Sequence, residues 1–406
     1  MFNSFSAALS ALKAHSAAVD AVGNNLANVN TTGFKSSDVA FKDVVAESLS
    51  GHSETGMGVS RPTTIRNFSQ GAIQSTSGAL DSAMQGNGFF VVNDSSGQRL
   101  LTRDGSFTLD KAGYVVTLTG ERVQQYAGGA LSDIQIPTGT SAASPTTAVN
   151  LVANLNASAQ VGDTFSTPIE AVDSLGTRHM LTFQFTKKAD NSWDYDVKIP
   201  AADIGAAGPG PVSIFTTPPT TTIDFDANGK MTAPAAPGTI SLTVASLADK
   251  AADLSITWSL LDSAGQPTVS QFAEASSVSK TNADGYPAAE VVSVGMADGG
   301  KVIAKYGNGQ EKSIATLAVA LVANPSSLTS ASNNNYKVTS DSAAPVFGTA
   351  ETGGRGKVKA GALEASTVDI AREFTNLIVY QRGYQANSRV ITTTDEISQE
   401  TLNLKR

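Results

Sequence analysis

Large apolar residues in the first 30 positions recur at the spacing of a helix. Successive members lie three, four or seven residues apart, the period near 3.5 of a coiled-coil stripe. They are Phe2, Phe5, Leu9, Leu12, Val19, Val22, Leu26 and Val29. Alanine, the strongest helix former, is abundant between them, and neither Gly nor Pro occurs before Gly23. The pattern predicts an N-terminal helix with a narrow apolar stripe, which other helices can approach closely.

The C-terminal end carries a second stripe of this kind. Its members are Leu363, Ile370, Leu377, Tyr384 and Ile391, seven residues apart, with Phe374 and Leu402 on the companion position. The spacing predicts a long helix from about 362 to 403, in which Gly383 costs about 1 kcal/mol relative to Ala. Two ordinary surface helices remain an alternative. Because an isolated amphipathic helix cannot bury its stripe, we favour pairing of the terminal helices with each other or with neighbouring subunits.

The middle of the chain, from about 60 to 360, alternates with a period of two. Apolar and polar residues alternate over 193–199, 254–260 and 181–185, which predicts half-buried antiparallel strands. An Asp-Ser-x-Gly turn occurs at Asp94, Asp173 and Asp262. The prediction is therefore a mainly β fold with α-helical termini. Flexible or linking stretches are predicted at 51–58, 137–148, 200–219, 233–238 and 276–287.

Composition and charge exclude several classes of function. The net charge of −8 disfavours nucleic acid or an anionic membrane as the main partner, and the absence of Cys excludes disulfides and thiol chemistry. The longest nearly apolar run, 314–323, is too short to span a bilayer, so we expect no membrane insertion. The N-terminus lacks the pattern of a cleaved signal peptide.

No catalytic or metal constellation emerges from the sequence. The His residues at positions 15, 52 and 179 have no second His at metal-binding spacing, and Gly353–Lys357 lacks the further residues of a phosphate loop. Residues 224–229 match the start of a calcium loop, but Ala235 stands where the loop needs Glu. A hairpin turn is the preferred interpretation, with weak calcium binding left open. We expect no enzyme, no cofactor and no metal.

Specific motifs at both ends resemble those of the bacterial flagellar rod and hook family. The N-terminal motif matches at Asn24, Asn25, Ala27, Asn28, Thr31, Gly33, Phe34 and Lys35. Residues 361–369 and 381–387 resemble the C-terminal signature, and 86–90 and 102–107 resemble the shared β-domain. Rod members are generally shorter, so the additional segment at about 149–275 favours a hook-type member.

The resemblance implies discontinuous domains nested from the ends inward. Residues 1–30 and 361–406 would form an inner coiled-coil domain, with 31–70 as a connecting segment that carries the motif. Residues 71–148 and 276–360 would form a middle antiparallel β-domain, and 149–275 an outer one. The apolar residues of both terminal stripes would then be the assembly interface.

The resemblance also implies a structural role outside the cell. Copies of the chain would stack into a helical tube that couples rod to filament as a flexible joint transmitting torque. Partners would be further copies, the rod, the hook cap, the hook–filament junction proteins and the flagellar secretion apparatus, which exports the chain without signal cleavage. A distal rod or hook–filament junction protein is an alternative, and a secreted β-rich adhesin is an alternative from another class.

Overall fold

The computed structural model describes residues 2–46, 55–137, 139–208, 210–215, 222–234 and 238–403. Helix α1 spans Phe2–Ala27 and helix α2 spans Ile370–Asn403. Short 3-10 helices lie at Ala201–Ile204 and Pro325–Ser327. His52, Ala235 and parts of the predicted flexible stretches (51–54, 138, 209, 216–219 and 235–237) lie outside the described residues, as do the side chains of Phe2 and Leu402.

Strands fill most of the chain between the two helices. In the first part they are β1 Ser37–Ala40, β2 Asp43–Ala46, β3 Thr55–Val59, β4 Thr63–Arg66, β5 Ile73–Ser75, β6 Ser82–Gln85, β7 Phe89–Asn93, β8 Arg99–Thr102, β9 Phe107–Leu109, β10 Val115–Thr117, β11 Arg122–Ala127 and β12 Ala130–Asp133. Next come β13 Ala148–Asn156, β14 Thr164–Val172, β15 Arg178–Ala189, β16 Ser192–Pro200, β17 Pro211–Ser213, β18 Thr222–Phe225, β19 Met231–Ala233, β20 Thr239–Val244, β21 Leu254–Ser259, β22 Val269–Phe272 and β23 Ser277–Ala283. The last are β24 Val291–Ala297, β25 Lys301–Tyr306, β26 Glu311–Thr316, β27 Val319–Leu321, β28 Thr329–Ser330, β29 Asn335–Lys337, β30 Val346–Gly348, β31 Lys357–Ala360 and β32 Ala362–Glu364.

The predicted mainly β fold with helical termini is confirmed, and so are the alternating strands. In β16 the apolar residues point into a core and the intervening polar residues are half-buried, and β21 alternates in the same way. The antiparallel pattern has two exceptions within the described residues. Strand β13 runs parallel to both β21 and β22.

The predicted start of the C-terminal helix is wrong. Residues 362–364 form strand β32, which pairs with β5, so Leu363 lies in a strand and not on the helical stripe. Helix α2 begins only at Ile370, because the Asp369 carboxylate accepts hydrogen bonds from the backbone N–H groups of Ala371 (2.9 Å) and Arg372 (3.1 Å). Such an N-cap fixes where a helix starts. The heptad spacing continues across this boundary and therefore concealed it.

The chain divides into two compact units. The helix-bearing unit comprises Met1–Pro137, Ser293–Lys305 and Glu311–Arg406, and the inserted unit comprises Thr138–Val292 and Tyr306–Gln310. Each unit has its own sheets and its own core. The three nested domains expected from the sequence resemblance stay a prediction.

The helix-bearing unit is built on a largely antiparallel sheet. Its main strand order is β28-β29-β8-β7-β11-β10-β9, and β12, β27 and β30 join at the side. Phe68, Phe89 and Tyr336 pack edge to face over it, with ring centroids 5.2–5.7 Å apart. Burial raises the pKa of Tyr336 to about 12. This aromatic core supports the segments that carry the sequence motifs.

The inserted unit is a two-sheet structure around one apolar core. One sheet has the order β20-β21-β13-β22 with β23 alongside, and the other β14-β15-β16-β18-β19 with β17 alongside. Trp193 and Trp258 both lie in this core, fully shielded from solvent. The segment around 149–275 therefore contributes a continuous core of its own.

The predicted tight turns are confirmed. At Asp94, Asp173 and Asp262 the Asp carboxylate accepts backbone N–H groups of the turn, and the Gly three residues later has a φ of +74° to +93°. The preferred interpretation of 224–229 is also confirmed, because β18 and β19 form an antiparallel hairpin around Asp226–Gly229.

Candidate assembly site

Helices α1 and α2 pack against each other, and α1 also contacts strands β1 and β3. The buried side chains of α1 are Ala8, Ala14, Ala18, Val22 and Asn25, which recur along one face. On α2, Gly383 lies against the His15 ring, and an added Cβ would lie 2.6 Å from Cε1 of His15. The absence of a side chain at Gly383 therefore leaves room for the His15 ring between the helices.

An aromatic group closes the same interface. The ring of His15 lies 5.5 Å from that of Phe41 and 6.3 Å from that of Tyr380, and the last two are 6.0 Å apart. Burial raises the pKa of Tyr380. Since these residues belong to α1, to the segment after β1 and to α2, the group fixes both helices to the chain beside them.

Gly383→Ala should weaken the helix pair although Ala is the better helix former. The new methyl group would overlap the His15 ring, so that ring must leave its position or the helices must move apart, whereas Gly23 on α1 has no neighbour within 4 Å of an added Cβ. Gly23→Ala is the matched control and should stabilise its helix by up to about 1 kcal/mol. We expect a lower thermal midpoint for G383A and an equal or higher one for G23A, measured by far-UV circular dichroism. Equal shifts for the two variants would contradict the role assigned to Gly383.

Lys35, Arg103 and Glu364 form a buried ionic cluster. The Lys35 ammonium lies 2.6 Å from Oε1 of Glu364, and the Arg103 guanidinium lies 3.3 Å from Oε2 of the same carboxylate. The side chains of Lys35 and Glu364 are completely buried and that of Arg103 almost so. Burial lowers the pKa of Lys35 and of Arg103, against the opposing attraction of Glu364. One carboxylate therefore compensates two buried cations.

Hydrogen bonds between these charged groups and the backbone complete the cluster. Lys35 also donates to the Ser69 carbonyl (2.6 Å), Arg103 to the Gly86 carbonyl (3.0 Å), and the Gly71 backbone N–H donates to Glu364 (2.8 Å). Arg103 in addition stacks over the Phe89 ring at 5.1 Å. Each charge is thus held by partners from several segments, which is the condition under which burial of an ion pair is tolerated.

The N-terminal motif residues hold the end of α1 in place. The Asn25 amide donates to the Ser37 carbonyl (2.9 Å) and to Oε1 of Glu373 on α2 (3.0 Å), and its oxygen accepts the Ser37 backbone N–H (2.9 Å). Burial raises the pKa of Glu373, against the opposing effect of this hydrogen bond. Asn28 accepts the Thr31 hydroxyl (3.0 Å) and donates to the Asn24 carbonyl. These bonds direct the chain from the helix into the segment of Lys35.

Gly33 makes the closest contact of the motif. Its φ is +67°, and an added Cβ would lie 2.6 Å from the carbonyl carbon of Arg103. Its backbone N–H donates to the Glu364 carbonyl (2.7 Å), and the adjacent Phe34 is buried. Only Gly fits such a position without displacing the neighbouring backbone. The N-terminal motif, the 102–107 motif and the C-terminal signature therefore meet at one point.

The large apolar residues of the two predicted stripes divide between exposed and at least half-buried positions. Phe5 and Leu9 on α1 are about 40% exposed, and Ile370, Phe374 and Tyr384 on α2 about 50%. Val22 is buried, whereas Leu12, Val19, Leu26, Val29, Leu377 and Ile391 are half-buried. Leu363 is half-buried in β32. Part of each stripe is thus covered within the chain, and the exposed members remain available for other contacts.

The exposed apolar residues form rows along the helices. Ile370, Phe374 and Ile378 are four residues apart on α2, as are Phe5 and Leu9 on α1. Ile378 was missed from the sequence, because it does not fall on the heptad positions. Exposed apolar rows of this kind mark interaction surfaces in soluble proteins. No helix in the described part of the chain is long and apolar enough to cross a bilayer.

Sequence reasoning also missed the ionic cluster as a unit. Lys35, Arg103 and Glu364 each fall in a recognised motif, but their partners lie 261 and 329 residues away along the chain. A charged residue inside an otherwise apolar and small motif was the available signal, since Lys and Glu are rarely buried unless paired.

Comparison with known families matches four segments of the chain. Residues 5–35 match the flagella basal body rod protein family, and 83–151 the flagellar hook protein FlgE/F/G D1 domain. Residues 140–286 match the flagellar basal body protein FlaE D2 domain, and 359–404 the C-terminal region of the flagellar basal body rod FlgEFG proteins. The segments at the two ends contain the helices and motifs described above.

Full-length relatives carry the same family name. The chain is 33% identical to the flagellar hook protein FlgE of Salmonella typhimurium, over 99% of this chain and 100% of the relative. It is 33% identical to that of Escherichia coli with the same coverage. The crystal structure of the Helicobacter pylori flagellar hook protein FlgE2 superposes with a TM-score of 0.51 at 15% identity, covering 72% of this chain and 100% of that chain, which shows a shared fold. The chain belongs to the flagellar hook protein FlgE family.

Proposed function

We propose that this chain is a structural subunit of the flagellar hook and that copies of it assemble into an extracellular helical tube. The observation that carries the proposal is the set of exposed apolar rows on α1 and α2, in a chain whose full-length relatives are flagellar hook proteins. The full-length match favours a hook subunit over a distal rod protein, a junction protein or an adhesin. The role is structural, and no reaction is proposed.

Helix geometry supports an open polymer. Helix α2 has 34 residues and is therefore about 50 Å long, and α1 with 26 residues is about 40 Å long. Rows of apolar residues over such a length offer contacts to more than one neighbouring copy. When a surface of one copy binds a different surface of the next and the rotation does not close, a helical polymer results. The helices would then line the inside of the tube.

Low charge on α1 supports close approach between copies. Lys13 and Asp20 are the charged side chains of the first 30 residues, so little electrostatic repulsion or desolvation opposes packing. Small residues such as Ala allow helices to approach closely. The assembly interface is accordingly assigned to the apolar positions of both helices, chiefly Phe5, Leu9, Ile370, Phe374 and Tyr384.

The finer features of the function follow from the family. The tube would couple the rod to the filament and transmit torque while bending, with the helices resisting twist and the inserted units forming the outer layer. Its partners would be the rod, the hook cap, the junction proteins and the flagellar secretion apparatus, which would export the chain with its N-terminus intact. The nested arrangement of inner, middle and outer domains belongs to the same proposal.

Phe374→Glu tests the assembly interface. A carboxylate at this exposed position should leave the monomer folded, because it loses little buried surface, but it would be desolvated between copies and should abolish or strongly reduce polymer formation. Leu118→Glu is the matched control, since Leu118 is more exposed than Phe374 and lies in the turn between β10 and β11. The readouts are pelleting of polymer and electron microscopy of tubes. Normal tubes from F374E would contradict an assembly role for this face of α2.

A further inference from the structure

Three loops of the inserted unit converge on the ring of His179. Asp173 lies in the turn after β14, Asp203 in the 3-10 helix Ala201–Ile204, and Asp249 in the loop between β20 and β21. Nδ1 of His179 is 3.0 Å from Oδ2 of Asp203, and Nε2 is 3.1 Å from Oδ2 of Asp173. One ligand atom each from Asp173, His179 and Asp249 lies within 4.8 Å of the others.

The loops that carry these groups are tied together by hydrogen bonds. The Ala252 backbone N–H donates to the Ser174 hydroxyl (3.0 Å), and that of Ala248 donates to the Asp203 carbonyl (2.9 Å). The other oxygen of Asp173 accepts the backbone N–H groups of Leu175 (2.8 Å) and Thr177 (2.9 Å). The side chains of Asp173 and His179 are buried. The cluster is therefore a built site with its buried groups already oriented.

With a neutral His179, the carboxylates of this site lack a compensating positive charge. A neutral imidazole carries one N–H, yet each ring nitrogen of His179 faces a carboxylate. When Nδ1–H donates to Asp203, the Nε2 lone pair points at Asp173, with Asp249 beside it. Either a second proton on Nε2 or a metal ion can supply the positive charge between Nε2 and the two carboxylates.

We propose that Asp173, His179 and Asp249 form a binding site for a divalent metal ion of the zinc class, with Asp203 as a positioning residue. One imidazole nitrogen with carboxylate oxygens is a ligand set that zinc accepts. Asp203 holds Nδ1 and so presents Nε2 to the ion, the arrangement in which a carboxylate orients a metal-binding His. The site is absent from the sequence predictions because its members are separated by up to 76 positions and include only one His.

The observed spacing suits a shared ion. Zinc bonds of about 2.0–2.1 Å in tetrahedral geometry place neighbouring ligand atoms about 3.3 Å apart. The 3.1 Å between Nε2 of His179 and Oδ2 of Asp173 is close to this value. Asp249 is exposed and its Oδ1 accepts the Ala251 backbone N–H (3.0 Å), which leaves its other oxygen to close on the ion as third ligand, with water in the remaining position.

The same turn occurs elsewhere without this chemistry. Asp262 caps an Asp-Ser-x-Gly turn as Asp173 does, and its carboxylate accepts the backbone N–H groups of Ala264 (2.9 Å) and Gln266 (2.8 Å). Among the described residues, the group that could hold a metal is the one around His179. The turn alone therefore does not define the site; the His and the second carboxylate do.

Zinc titration of the tag-free, full-length chain tests the site. We expect calorimetry to show one zinc ion bound per chain. We also expect zinc to raise the thermal midpoint of the inserted unit, which is measured by tryptophan fluorescence. Asp249→Asn should abolish both effects, since it removes an exposed ligand without disturbing the buried core. Asp203→Asn should weaken zinc binding about 10- to 100-fold while leaving the stoichiometry at one.

Asp253→Asn is the matched control. Asp253 is exposed on the same loop, where it accepts the Ser246 backbone N–H (3.1 Å), and it is not part of the cluster. D253N should bind zinc as the unmodified chain does. Absence of zinc binding by the unmodified chain, or equal binding by D249N, would overturn the proposal. Equal losses in D249N and D253N would also overturn it, because the effect would then come from the loop fold and not from ligation.

Discussion

Glu364→Gln should lower the free energy of unfolding of the helix-bearing unit by about 3–5 kcal/mol. The substitution keeps the size of the side chain but removes its charge, so Lys35 and Arg103 remain buried without an anion. Burial already lowers the pKa of both cations, which means that their charged forms are held in place mainly by Glu364. The free energy of unfolding is measured by chemical denaturation, with hydrogen exchange of the backbone amides around Gly33 and Gly71 as the readout for this unit.

An exposed ion pair provides the control for this experiment. Lys305 and Glu311 are 2.8 Å apart, but both side chains are more than half exposed. Glu311→Gln should therefore change the free energy of unfolding by no more than about 1 kcal/mol. If E364Q were as stable as E311Q, the cluster would not be what joins the N-terminal motif to the C-terminal signature.

Trp258→Ala should destabilise the inserted unit by about 3–5 kcal/mol. Trp258 is fully buried and packs edge to face against Phe183, Tyr195 and Phe185, with ring centroids 5.0, 5.3 and 6.1 Å away. Its removal leaves a cavity between the two sheets. Trp193 is then the sole tryptophan of the chain and lies in the same core, so its fluorescence reports unfolding of this unit directly.

Phe272→Ala is the control within the same unit. Phe272 lies on β22 and is 54% exposed, so its loss should change stability by no more than about 0.5 kcal/mol. Because the inserted unit has its own core, W258A should leave hydrogen-exchange protection around Lys35 and Glu364 unchanged. Loss of that protection together with the Trp193 transition would show that the two units unfold as one.

Local patterns predicted the fold well where one residue type decides the structure. Alternation over 193–199 identified β16 because its apolar side chains all enter one core, and the Asp-Ser-x-Gly turns formed because Asp caps and Gly adopts positive φ. Periodicity failed at the start of α2, where the N-cap at Asp369 and the pairing of β32 with β5 override a continuing heptad.

The candidate site was only partly predictable, for a different reason. The stripe of large apolar residues indicated which residues could associate, but it did not separate its buried members from its exposed ones: Val22 is buried, whereas Phe5 and Leu9 are exposed. Which residues of a stripe become buried depends on how the helices approach each other, and at Gly383 the His15 ring occupies the place of a side chain. Contacts between residues hundreds of positions apart, such as Lys35 with Glu364, leave no periodic trace in a single sequence.

The position of Glu364 late in the sequence determines when the helix-bearing unit can fold during synthesis. A ribosome completes Lys35 and Arg103 early, whereas the carboxylate that neutralises them stands at position 364 of 406, and the helix that pairs with α1 follows still later. A chain that has not yet been completed therefore cannot form the charge cluster or the contact between α1 and α2. The entropy of closing so long a loop also opposes early contact between these segments. Folding of the helix-bearing unit must wait until nearly the whole polypeptide has emerged, so a half-made subunit cannot present its paired helices to an existing polymer.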